Sequence, residues 1–177
     1  MHCIRLLIFL LPLGLACCTT RNHYQPSTSL TDSVFTTADF RFYGAHYGSI
    51  PHNVFSIDLI SRGLQFDSTY HISGTGTNLY LSDIFLPATD SVLQPGIYDI
   101  DTTAAAYTIL PGMRFGRAVT GAYLAQIRES SVTDTLLFTR GQMTITQWAG
   151  SIILDFQLYT ADSTRYHGMY QGHVSYR

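Results

Sequence analysis

Apolar and polar residues alternate along this chain in short stretches, and the dominant period is two. In "TADFRFYG", Ala38, Phe40 and Phe42 point one way and Asp39, Arg41 and Tyr43 the other. Alternation of this kind predicts a half-buried strand. "NVFSIDLI" repeats it with Phe55, Ile57 and Leu59, and "NLYLSDIFL" is a more apolar strand ended by Pro87. Residues 61–77 hold one short strand and the flexible "SGTGT". The Pro95-Gly96 turn leads into "IYDID", while Pro111 and Gly112 stop the segment that starts with the brief run Ala104, Ala105 and Ala106 before a helix can form. "RAVTGAYLAQIRE" reads as a strand with Val119, Gly121, Tyr123, Ala125 and Ile127 on one face, or alternatively as a helix. The clearest pattern closes the chain: "DTLLFTR", "QMTITQ", the "WAGS" turn, "IILDFQLYT", the "ADST" turn and "RYHGMYQGHVSY". Strands joined by turns this short predict an antiparallel meander with Leu154, Phe156 and Leu158 in the core. Eight or nine strands at regular spacing predict an all-β antiparallel sandwich, with a barrel of lipocalin-like size as the alternative.

The first residues follow a different rule. Arg5 precedes an apolar run from Leu6 to Leu13, broken only by Pro12. A bilayer span needs roughly 20 apolar residues, so this run has the length of a signal-peptide core. It ends in Leu13-Gly14-Leu15-Ala16 followed by Cys17 and Cys18. This ending resembles the lipobox of bacterial lipoproteins, in which a small residue precedes a cysteine whose sulfur receives diacylglycerol. The resemblance implies lipidation of Cys17, with Cys18 as the alternative, and attachment to a membrane through that lipid. Residues 1–16 are then the signal peptide, 17–36 the lipidated cysteine and a polar tether, and 37–177 a single β domain. The only other cysteine is Cys3, so the domain must rely on its hydrophobic core rather than on a disulfide.

Composition agrees with the strand pattern. The chain is 46% hydrophobic and 12% charged, with 12 Tyr, 10 Phe and 14 Gly. It has no Lys and only one Glu, Glu129, so good helix formers are scarce. The formal net charge is −2. Without a basic run, nucleic acid is not expected as a partner.

The C-terminal motifs, Gly141 to Thr146 as "GxxTIT" and Tyr166, Gly168, Tyr170, Gly172 and Tyr176 as "YxGxYxGxxxY", resemble those of lipoproteins of the Bacteroidota that have no agreed activity. "YGAHYG", "NVFSIDL" and "LQPGIYDID" look like earlier segments of the same group. The resemblance implies a β-rich lipoprotein of the outer membrane and carries no reaction with it. Surface-exported lipoproteins of that phylum often place acids after the lipidated cysteine. Here Arg21 stands there instead, which leaves the periplasmic and the surface-exposed faces both open.

Chemistry is sparse. There is no G-x-S-x-G, H-E-x-x-H or P-loop, and no catalytic residue, metal ligand or cofactor is nominated. His167 and His173, six residues apart on one strand, stand about 20 Å from each other at 3.3 Å per residue, too far for one metal. His46 and His52 flank a loop and lack a third ligand. Asp99 and Asp101 share a strand face and read as a solvated strand end, with a calcium site or acid pair as the other reading. Tyr166 and Tyr170 alternate with Gly168 and Gly172, either as an aromatic platform for a sugar or as rings packed over glycines. Trp148, the only tryptophan, sits at a predicted hairpin tip, where it either contacts a ligand or caps the core. Trp148, Tyr166 and Tyr170 are the ligand-binding candidates. The function expected is a non-catalytic module that binds a glycan or envelope protein or serves structurally. An envelope glycan hydrolase with an unrecognised carboxylate pair, or a fibre subunit with an open edge strand, are the alternatives.

Overall fold

The structure is a computed structural model that describes residues 29–148 and 150–177, with residues 29–33 and Trp148 described by their backbone alone. Every regular element among the described residues is a strand. In chain order these are β1 (Ser29–Gly44), β2 (His52–Ser61), β3 (Leu64–Phe66), β4 (Ile72–Gly74) and β5 (Gly76–Pro87). They continue with β6 (Gly96–Ile100), β7 (Thr108–Ile109), β8 (Met113–Phe115), β9 (Ala118–Thr120) and β10 (Ala122–Arg128). The last four are β11 (Ser131–Leu137), β12 (Arg140–Trp148), β13 (Ser151–Tyr159) and β14 (Arg165–Gly172).

The all-β class and the closing meander β12–β13–β14 are as expected, but the sheet is a barrel and not a sandwich. The strands run β5–β2–β1–β14–β13–β12–β6–β7, and β7 pairs again with β5 to close an eight-stranded ring. The ring is mixed, because β1 runs parallel to β14 and β6 parallel to β7. Closure turns on a bulge. Phe55 pairs with Ile84 and Ile57 with Leu81, so β5 spends one residue more than β2 over this stretch. Asp83 takes a left-handed conformation there, at φ 54°. A bulge bends its strand and sharpens the twist. Before the bend the far edge of β5 carries β10; after it, the same edge carries β7.

β1 begins at Ser29, inside the segment 17–36 expected to be tether, and Phe35 from that segment lies in the core at 2% exposure. Residues 1–16, and with them the signal-peptide assignment, lie outside the described residues.

The barrel interior is solid. Phe40, Phe55, Tyr98, Phe138, Phe156 and Tyr166 are all essentially inaccessible. Phe138 and Tyr166 stack 5.4 Å apart, and Phe35 meets Phe156 edge-on at 6.3 Å. Small barrels of this strand number are just wide enough for side chains to fill. On β13 alternate residues Ile152, Leu154, Phe156 and Leu158 point in, as their spacing predicts.

β10 is the expected strand, with Tyr123, Ala125 and Ile127 on one face, but the run breaks at Gly121 and leaves Val119 in β9. Ala122 and Leu124, on the other face, point into the main core. Ala125 and Ile127, with Tyr123 packed beside them, face outward into a second apolar cluster with Ile60 and Leu64. The β3–β4 hairpin covers that cluster through Phe66 and Ile72. β9 and β10 are separated by Gly121 (φ 76°), where an added Cβ would stand 2.0 Å from the Pro111 carbonyl oxygen. Only glycine fits that turn, and it sends the β8–β9 hairpin out of the sheet.

Candidate functional site

The outer face of β1, β2, β5 and β10 holds what the interior excludes. Strand register aligns Asp39, Asp58, Tyr80 and Tyr123 in one row across these four strands. Arg41 and Asn78 lie beside the row on the same face. The β3–β4 hairpin supplies one wall with Tyr70, His71 and Ile72; the β8–β9 hairpin supplies another with Arg114, Arg117 and Val119. Together they enclose a trough of about 720 Å³, within the range of small-molecule sites.

Asp39 stands beside the trough and pairs with Arg41, which lines it. Arg177 Nε donates to its Oδ1 at 2.6 Å, and Arg41 Nε donates to its Oδ2 at 2.6 Å. Arg177 Nη2 donates to the same Oδ2. Burial would raise the Asp39 pKa, but these two guanidiniums more than offset it and hold the carboxyl below the usual range. Arg177 reaches this position because the chain after β14 lies alongside β1: Arg177 N donates to Phe40 O at 3.1 Å, and Phe42 N to Arg177 O at 3.0 Å. Its guanidinium also lies 3.4 Å from the Tyr70 ring centroid, within cation–π range. Tyr70 is itself in a left-handed conformation.

Asp58 behaves in the opposite sense. It is 8% exposed, and burial pushes its pKa up to about 6 despite the hydrogen bond donated by Asn78 Nδ2 and the Arg41 charge 3.8 Å away. Asn78 Nδ2 also donates to Leu59 O at 3.2 Å, which fixes the amide. Tyr80 and Tyr123 form a tilted ring pair at 5.4 Å. Burial raises both phenols, Tyr123 to about 12, so both stay neutral and able to donate at neutral pH.

A second depression of about 340 Å³ adjoins the trough, sharing Tyr80 and Val119 with it. It adds Tyr43, His46 and Tyr47, whose rings meet in series, tilted at 5.7 Å and edge-on at 4.8 Å. Tyr47 donates to Asp83 Oδ1 at 2.6 Å, and this bond is the chief cause that pushes its pKa up to about 12. The bulge residue that bends β5 therefore also fixes this aromatic wall.

The residues singled out from sequence fall elsewhere. Tyr166 and Tyr170 point into the core, at 1% and 5% exposure, so their rings offer no face to a sugar. A Cβ at Gly168 would stand 3.1 Å from the Tyr166 ring and 3.2 Å from Phe35, and one at Gly172 would stand 2.2 Å from the Tyr170 hydroxyl. Each tyrosine thus folds over the glycine two residues on, the packing alternative. The backbone of Trp148 pairs with Ser151 in the β12–β13 hairpin. Its neighbours Gln147, Gly150 and Ser151 line a depression of about 480 Å³ at one end of the barrel. His46 joins the aromatic wall, whereas His52 stands apart with a buried Nδ1 that has no hydrogen-bond partner. His167 faces Asp155 at 3.4 Å, and His173 Nδ1 meets Gly150 O at 3.2 Å. Asp99 and Asp101 are exposed, with Asp101 Oδ1 accepting from Thr103 N at 2.8 Å. Among the described residues no three His, Cys, Asp or Glu side chains converge as a metal site. Cys17 and Cys18 lie outside the described residues.

None of the trough residues was nominated from sequence. Their one signal is polarity at alternate positions within apolar strands, in "ADFRF", "FSIDL" and "NLYL", which reads equally as an ordinary solvent-facing side. No known family matches the chain, and neither the curated proteins nor the solved structures contain a significant match to it.

Proposed function

We propose that this protein is a lipid-anchored envelope lipoprotein of the outer membrane that binds a glycan, without turning it over, in the trough on its outer β-sheet face. The observation that carries the reading is the Tyr80–Tyr123 pair set beside the fixed amide of Asn78 and the Arg41 guanidinium in one open trough. Carbohydrate rings offer apolar faces for aromatic contact and hydroxyls for planar hydrogen-bonding groups, and this trough supplies both. The barrel interior, being filled, offers no comparable site. Anchoring rests on the likeness of residues 1–18 to a lipobox.

The test is a glycan array probed with the full chain and with Tyr80→Ala and Tyr123→Ala variants checked for an unchanged far-ultraviolet spectrum. Binding that falls at least about tenfold in both variants is expected. Retention in both, with loss in Trp148→Ala, would move the site to the depression beside the β12–β13 hairpin. Incorporation of labelled fatty acid, abolished in Cys17→Ser and kept in Cys18→Ser, is the expected result for the anchor.

One observation favours a catalytic second reading. Asp39 and Asp58 are cross-strand neighbours whose pKa values are driven apart, the pattern of an acid and base pair. Both Asp39 oxygens are occupied by arginines and Asp39 does not line the trough, so a single carboxyl, Asp58, faces a ligand. Glycoside hydrolysis ordinarily needs two, which is why binding is preferred. New reducing ends that appear with the wild-type chain and vanish with Asp58→Asn would reverse that preference.

A further inference from the structure

The charge inside the trough runs against the charge of the chain. The protein carries a formal −2, yet the lining holds Arg41, Arg114 and Arg117 against one carboxylate, Asp58. Arg41 is committed to Asp39, and Asp58 accepts from Asn78. Arg114 and Arg117 are exposed and have no ion-pair partner among the described residues. They flank the tip of the β8–β9 hairpin, where Gly116 makes the left-handed turn between them. Gly121 lies where that hairpin leaves the sheet, so the backbone places both arginines at the wall of the trough.

A guanidinium presents its donors in a planar fork that matches a carboxylate. Two of them beside the Tyr80–Tyr123 floor form a site for a ring that bears an acid. The adjoining depression with Tyr43, His46 and Tyr47 lengthens the groove beyond this point through the shared Tyr80, which suits a chain lying across the face. We propose that the trough takes an acidic polysaccharide, its carboxylates received by Arg114 and Arg117 and its rings laid over Tyr80 and Tyr123. This rests on the glycan-binding reading above and specifies its ligand class.

The experiment measures binding of the full chain to three acidic polysaccharides (polygalacturonate, alginate, hyaluronan) and three neutral ones (dextran, xylan, laminarin) by calorimetry. It is repeated with Arg114→Ala/Arg117→Ala, whose melting temperature is compared with wild type, and with Arg114→Lys/Arg117→Lys. Binding to at least one acidic polymer and to none of the neutral set is expected. That binding should weaken roughly tenfold or more in the alanine variant and partly recover in the lysine variant, since lysine restores charge without the fork. It should also weaken as salt rises from about 0.05 to about 0.3 M, as exposed charges are screened. Equal or exclusive binding of neutral polymers, or acidic binding unchanged in the alanine variant, would overturn the acidic ligand while leaving glycan binding in place. Failure of all six would overturn the glycan reading and this inference with it.

Discussion

The inside and the outside of the same four strands make opposite use of their residues. Inward, β1, β2, β5 and β10 present Phe40, Ile57, Leu79 and Leu124, all at 2% exposure or less. Outward, the same strands present Asp39, Asp58, Tyr80 and Tyr123. The inner face gains from removing apolar surface from water, about 25 cal/mol per Å², and is indifferent to direction. The outer face buries polar groups, which is tolerable only where each finds a partner. Asp39 finds two arginines and is stabilised. Asp58 finds an amide and a guanidinium at 3.8 Å, and burial still disfavours its charged form. Stability therefore resides in the barrel interior, whereas polar and charged side chains gather in the trough.

The largest effect that would challenge this contrast comes from the interior. Phe156→Ala should lower unfolding free energy by about 3–5 kcal/mol in urea titrations, from lost burial plus the cavity left behind. A loss under about 1 kcal/mol would mean that the barrel core can collapse around the gap.

Asp58 sets the next effect, with the opposite sign. Its folded pKa of about 6 lies above the unfolded carboxylate value. The folded state therefore binds the proton more tightly, and stability falls as pH rises from about 4 through about 6 and stays lower above. Asp58→Asn should accordingly be more stable than wild type at pH 7.5, by about 1–3 kcal/mol. The two should converge near pH 4. Thermal melts across this range check the sign, and a variant less stable at both ends would refute it.

Asp39→Asn removes a charge that two guanidiniums depend on, and should cost about 2 kcal/mol at neutral pH. Because the Asp39 pKa is held down, its contribution is present above the ordinary carboxylate value and lost as pH falls through the folded one. Asp39 and Asp58 thus give opposite slopes from neighbouring positions, and a double variant should show a flatter pH profile than either single one. The smallest effect belongs to the hairpin: Arg114→Ala/Arg117→Ala should shift stability by no more than about 0.5 kcal/mol. A large loss there would make those arginines structural.

Much of the barrel was legible as strands because burial leaves a period of two in the sequence. Phe55, Ile57 and Leu59, and Leu154, Phe156 and Leu158, were read correctly since each strand has one dry face. The segment 117–129 was legible as a strand with Tyr123, Ala125 and Ile127 together, but not its break at Gly121 or the covering of both its faces, one by the core and one by the β3–β4 hairpin. The Tyr166 and Tyr170 rings drew attention as a motif, yet tyrosine over glycine is a packing solution as readily as a binding one. The trough residues passed unnoticed because polarity on the outer side of a strand is the ordinary state.

Strands and their inward faces, the all-β class, the C-terminal meander and the scarcity of known catalytic motifs were all settled by the linear chain. Each of these follows from neighbours close in sequence. Closure into a barrel rather than a sandwich depended on the extra residue at Asp83 and on pairing between β5 and β7, which lie far apart in sequence. The trough depended on register: only the alignment of β1, β2, β5 and β10 puts Asp39, Asp58, Tyr80 and Tyr123 in one row, and the β8–β9 hairpin, which leaves the sheet at Gly121, adds arginines to its wall. A period of two fixes which way a residue points. Which residues it points beside is set by pairings that a linear pattern does not encode.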